Sequence, residues 1–182
     1  MRGDLVEDSQ SEVDIAQRIR CILSDVDGVL TDGRLIMDAN GVESKAFYVR
    51  DGLAIKLWQR AGFAFGLLTS RTSSIVVRRA DELGIAHVRQ GAKVKLPVAR
   101  EVMQAMGVIP EQVCYIGDDL PDIPVMKAVG LGVAVADAAD EARQVARWVT
   151  QAGGGRGAVR ETVRRLMRLK GCWEPMFAND TE

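Results

Sequence analysis

Short apolar runs, each followed by a stretch with helical spacing, constrain this 182-residue chain more than any other feature. They cover residues 19–23, 63–68, 85–88, 113–116 and 132–136, and each reads as a buried strand. Strands apolar on both faces belong in a parallel sheet covered from above and below. Helical periodicity fills the gaps at 52–62 (after Asp51), 73–83, 96–106 and 123–128, with Gly62, Gly84 and Gly107 where helices stop. Two further helices are expected over 141–149 and 159–169, separated by GGGRG. Residues 34–37 and 44–49 read as the arms of a β-hairpin turned at Asn40-Gly41. Strands alternating with helices give an α/β fold with a parallel sheet. The expected organisation is one domain over 15–171 between flexible segments at 1–14 and 172–182.

Ligands in open α/β sheets bind beyond the carboxyl ends of the strands, and the polar residues collect there. The first strand leads into Asp25 and Asp27, and the second into Thr69, Ser70 and Arg71. Lys95 opens the helix after the third, and the fourth leads into Asp118, Asp119 and Asp122. Asp25 and Asp27 are two apart in extended chain, so their side chains tend to point the same way. Carboxylates held together need a cation or a proton between them. A few carboxylates plus water suit Mg²⁺. Asp-Gly turns and N-cap aspartates explain either acidic pair alone; both pairs with Thr69 and Lys95 between them point to a site.

Other chemistries are disfavoured. His87 is the only histidine and falls in a short strand, so a histidine-based hydrolase has no base to spare. Cys21, Cys114 and Cys172 are odd in number and widely spaced, which suits reduced thiols rather than disulfides or zinc. A net charge of -1 gives no global field for nucleic acid or an anionic membrane. No apolar run approaches the roughly 20 residues of a membrane helix. The polar start MRGDLVEDSQSE lacks a signal-peptide core, so a cytoplasmic protein is expected.

The stretch Asp25-Val-Asp27-Gly-Val-Leu-Thr-Asp32 resembles the nucleophile motif of the haloacid dehalogenase-like phosphatases. Thr69, Lys95 and Gly117-Asp118-Asp119-Leu-Pro-Asp122 resemble their three later motifs, in order. The resemblance spans residues 19–165 and implies a Rossmann-like, doubly wound sheet. It implies that Asp25 attacks phosphorus, and that Asp27 protonates the leaving oxygen and then activates water. It further implies a Mg²⁺ ion held by Asp25, the Asp27 carbonyl and Asp118. Thr69, the Ser70 amide and Lys95 hold the phosphoryl group, with Asp119 and Asp122 behind them. Neither gap between motifs is long enough for a cap domain, so the chain is read as capless. Further stretches, among them KAFYVRDGLAIKL and GGGRGAVRE, are similar to the branch acting on 3-deoxy-D-manno-octulosonate 8-phosphate, a lipopolysaccharide precursor. That likeness implies a homotetramer whose hairpin and tail help form neighbouring sites. It also implies substrate contacts from Tyr48, Val49, Arg50, Asp51, Gly52, Lys56, Arg71, Arg79 and Arg156. Tyr48 and Ser70 depart from the branch, which leaves a nine-carbon analogue open. A phospho-acceptor domain and a non-catalytic assembly subunit are alternatives of another class.

Overall fold

The computed structural model describes residues 12–176. A helix covering residues 12–18 (α1) leads into β1 (Cys21–Ser24), and a small hairpin, β2 (Ile36–Met37) and β3 (Glu43–Ser44), follows. Four units of helix and strand come next: α2 (Val49–Arg60) and β4 (Ala64–Leu68); α3 (Ser74–Leu83) and β5 (His87–Arg89); α4 (Lys95–Ala105) and β6 (Val113–Gly117); α5 (Ile123–Met126) and β7 (Leu131–Ala134). The chain closes with α6 (Asp140–Val145), β8 (Trp148–Val149) and α7 (Ala158–Leu169).

The six main strands form one parallel sheet in the order β5-β4-β1-β6-β7-β8. From β1 the chain builds outward through β4 and β5, then returns and builds the other way from β6. Right-handed crossovers therefore put helices on both faces. α2 packs on α3 and α7, while α4 packs on α5 and α5 on α6. The doubly wound sheet is thus observed, and β1 between β4 and β6 is its switch point. Every residue of β1, β6 and β7 is buried. Trp58 and Tyr115 are the bulkiest of the fully buried side chains.

Three expectations change. Residues 148 and 149 extend the sheet as β8, paired with Val133 and Ala134, instead of ending a helix. The exposed edge of β7 offers hydrogen bonds that a local reading of RWVT does not include. The second hairpin arm stops at Ser44, because Phe47 turns onto the core and Val49 opens α2. The packed region also reaches beyond 15–171: residues 12–14 are helical and Trp173 is buried. The rest of the expected flexible ends, residues 1–11 and 177–182, lies outside the described residues. Leu35, Ile36, Met37 and Val42 of the hairpin are each at least half exposed. Cys21 and Cys114 are buried free thiols, and burial pushes Cys21 up to about 12. No helix among the described residues is long and apolar enough to cross a membrane.

Candidate active site

Asp25, Asp27, Thr69, Ser70, Arg71, Lys95, Asp118, Asp119 and Asp122 line one cavity of about 160 Å³, together with Pro121, at the carboxyl ends of β1, β4 and β6. Lys95 ties its floor together. The Lys95 Nζ donates to Asp25 Oδ2 and to Asp122 Oδ1, both at 2.6 Å. Asp25 Oδ1 accepts from the Val26 amide at 2.6 Å. Asp122 is fully engaged: Oδ1 also accepts from the Tyr115 hydroxyl at 2.5 Å, and Oδ2 accepts from the amides of Asp118 and Asp119. It therefore fixes both Lys95 and the loop that carries Asp118. Thr69 is buried, and its Oγ1 accepts from the Arg71 amide at 3.4 Å. The Ser70 hydroxyl turns aside to the Ala92 carbonyl at 3.1 Å.

Two carboxylates of the cavity are left unbalanced, Asp27, whose Oδ2 is buried without a hydrogen-bond partner, and Asp118. The Asp118 Oδ1 is likewise buried without a partner. Burial, then the charges of Asp25 and Asp122, hold the Asp118 carboxyl well above the usual carboxylate range. Burial raises Asp25 as well, against the pull of Lys95. At Lys95 burial disfavours the charge, but Asp25 and Asp122 outweigh it and raise the ammonium pKa. Asp25, Asp118 and Asp122 each bring a carboxylate oxygen to within 4.8 Å of the others. With Asp122 saturated, Asp25 and Asp118 are the carboxylates left for a cation. A divalent ion here would satisfy the orphaned Asp118 oxygen and relieve the crowding of charge, so these residues fit a hard cation such as Mg²⁺.

Glycines make this closeness possible. Gly28 has a φ of 91°, and a Cβ there would lie 1.9 Å from Asp118 Oδ2. Gly154 presses on the same loop from outside, where a Cβ would meet the Gly28 carbonyl at 1.9 Å. Next to it the Gly155 amide donates to the Val29 carbonyl at 2.9 Å.

Asp27 stands apart from the acidic cluster. Its Oδ1 accepts a short bond from Lys45, whose side chain is 1% exposed. Arg71 lies 3.8 Å from the other oxygen and donates to Glu43 at 2.7 Å. The Asp27 carboxylate is thus outside the cation set, which leaves its backbone carbonyl as the atom the resemblance assigns to a metal. Lys45, Glu43 and Tyr115 were not anticipated. Glu43 and Lys45 are two apart in extended chain and so share a face, a signal available in the sequence. Tyr115 carries the one polar tip in the run VCYIG.

The expected substrate contacts separate. Only Arg71 joins the aspartates. Tyr48, Arg50 and Arg156 line a different cavity, of about 590 Å³, against α7. Val49, Gly52, Lys56 and Arg79 line a third, of about 240 Å³. Arg79 pairs with Glu82 at 2.7 Å and lies over the Phe47 ring. Asp51 is buried and lines none of these three cavities; its carboxylate accepts from the amides of Gly157 and Arg160 and so caps α7. Burial pushes Asp51 up to about 6, against those bonds and the nearby arginines. Gly52 leaves room for Arg79, whose guanidinium a Cβ would meet at 2.4 Å.

A profile of haloacid dehalogenase-like hydrolases matches residues 88–157. The chain is 44% identical over 156 residues to an Escherichia coli K12 protein named 3-deoxy-D-manno-octulosonate 8-phosphate phosphatase KdsC, covering 86% of this chain and 83% of that one. It is 46% identical over 151 residues to the Yersinia pestis protein of the same name, covering 81% of each. A crystal structure of the Moraxella catarrhalis phosphatase with magnesium, phosphate and KDO superposes with a TM-score of 0.90 at 36% identity, covering 93% of this chain and 97% of that one. The Yersinia pestis structure gives a TM-score of 0.87 at 42% identity, covering 89% of this chain and 88% of the other.

Proposed function

The chain belongs to the 3-deoxy-D-manno-octulosonate 8-phosphate phosphatases, within the haloacid dehalogenase-like hydrolases, and from that premise we propose how its residues divide the work. It is a Mg²⁺-dependent phosphomonoester hydrolase that releases phosphate from the eight-carbon sugar acid. Asp25 attacks phosphorus as the bond to the sugar oxygen breaks, and Asp27 gives that oxygen its proton. Asp27 then takes a proton from the water that cleaves the aspartyl-phosphate, returning Asp25 and releasing phosphate. Lys95, Thr69 and the Ser70 amide hold the phosphoryl oxygens. Asp25, Asp118 and the Asp27 carbonyl would hold Mg²⁺, which supplies charge neutralisation at the phosphoryl group. One observation carries this reading: Lys95 joins Asp25 to Asp122 while an oxygen of Asp118 beside them has no partner.

Lys56 and Arg79 lie outside the aspartate cavity, and the hairpin holds out apolar side chains. We read the enzyme as a cytoplasmic homotetramer in which neighbours cover the sugar end of each site. Phosphate release from a panel of sugar phosphates tests the whole reading. The eight-carbon acid phosphate is expected to give the highest kcat/KM and a nine-carbon analogue a lower one, with no release in excess chelator. Turnover that survives chelation, or a preference outside sugar acids, overturns it.

A further inference from the structure

Helix α7 carries Arg160, Arg164 and Arg168 at intervals of four residues, which sets them on one stripe. With Arg50, Arg156 and Arg165 they line the cavity of about 590 Å³, which shares no residue with the aspartate cavity. Like charges spaced this way work against a helix. Arg160 also sits in the first turn, at the positive end of the helix dipole. Arg160 lies over the Trp173 ring at 5.6 Å and Arg165 over the Trp148 ring at 4.0 Å, which ties those two to the fold. Such packing on α7 does not account for Arg50, Arg156 and Arg164. The one acidic residue lining the cavity, Glu161, is taken up by the amides of Gln151 and Ala152. Arg165 is paired with Glu12, and Arg168 stands 3.4 Å from Glu174. Among the described residues Arg50, Arg156 and Arg164 have no ion-paired acid.

We propose that this cavity binds a small polyanion carrying two or more phosphate groups. Three features select that class. Arg160 to Arg168 spans roughly 12 Å of helix, more than a single phosphate covers. The planar forks of arginine match phosphate oxygens two at a time. The volume lies in the range of small-molecule sites, about 300–1,000 Å³. Asp51 already occupies the amides of Gly157 and Arg160, so side chains hold the ligand. The Tyr48 ring lines the same cavity with Arg50 5.9 Å from its centre, a flat apolar face that a nucleotide base would use and an inorganic polyphosphate would not.

Titration calorimetry on full-length Asp25→Asn chains tests this, with inorganic tripolyphosphate, ATP and orthophosphate in metal-free buffer of low ionic strength. Phosphate release is assayed in the same samples, so that binding is scored only where the probes stay intact and the result does not depend on the catalytic reading. Tripolyphosphate is expected to bind once per chain, and orthophosphate at least tenfold more weakly. Arg164→Gln, an exposed change, weakens tripolyphosphate about tenfold, and adding Arg168→Gln removes measurable binding. Tighter binding of ATP than of tripolyphosphate identifies a nucleotide site; equal binding identifies an inorganic polyphosphate site. Absence of binding overturns the proposal. So does binding that survives Arg164→Gln but is lost with Lys95→Gln, which places the anion among the aspartates. A change of oligomeric state in Arg164→Gln by light scattering also overturns it, because the face is then a subunit contact.

Discussion

The aspartate cavity and the hairpin lie side by side, yet only the cavity has most of its groups answered within the described residues. In the cavity, Asp25, Lys95, Asp122 and Tyr115 answer one another, and the unanswered oxygen of Asp118 calls for an ion. In the hairpin, two residues pair on each arm, and the apolar side chains around them face outward. A two-stranded ribbon of this size is marginal alone. One region is therefore closed by charge within the subunit, and the other leaves apolar area exposed, as an interaction surface would. They meet at Lys45 and Glu43, which reach from the second hairpin arm to Asp27 and Arg71.

The sharpest break falls on the cavity. Asp25→Asn removes the nucleophile and is expected to lower turnover at least about a thousandfold, while circular dichroism shows an unchanged fold. Activity of more than a few per cent would end the covalent mechanism. Asp27→Asn should cost on the order of 10² to 10⁴ with the sugar phosphate. The loss should be smaller with nitrophenyl phosphate, whose leaving group needs no proton, and equal losses would remove Asp27 from the acid role.

The hairpin is broken differently. Ile36→Glu is half exposed in the subunit, so folding stability should change by no more than about 0.5 kcal/mol. Light scattering at micromolar concentration should nevertheless show the assembly dissociating, with activity falling in parallel. An intact assembly would mean that the hairpin is not the contact.

The smallest effect separates α7 from both regions. The folded pKa of Asp51, about 6, lies above the ordinary 3.8, so the folded chain holds that proton more tightly than the unfolded chain. Stability from this group is present below pH 4 and lost as pH rises towards 6, by no more than about 3 kcal/mol. Melting curves of wild type and Asp51→Asn between pH 4 and 7 should show wild type losing ground over that window. A flat difference would deny the buried charge.

That Asp25, Thr69, Lys95 and Asp118 share one cavity was legible in the sequence because parallel strands dictate it. An apolar run must end, and its next residues stand at the ligand-binding edge, as Asp25, Thr69 and Asp118 do. What escaped depends on distant partners. Asp51 reads as a substrate contact until Gly157 and Arg160 are known to lie on it, 106 and 109 residues later. Trp148 and Val149 become a strand only against β7. Lys45 matters only because the chain folds back on Asp27. The hairpin was located by Asn40-Gly41, but its short arms follow from Phe47 turning onto the core.

The wedge of Gly154 and Gly155 against Gly28 and Val29 has a consequence for synthesis. The loop after Asp25 leaves the ribosome early, but the backbone that braces it is about 125 residues behind. At about 5–20 residues per second, that interval lasts several seconds or more. A nascent chain ending before residue 154 has every strand of the sheet and all of its acidic motifs, but not the brace on the loop. The brace on the loop of Asp25 to Val29 therefore arrives late in translation, with the last loop before α7.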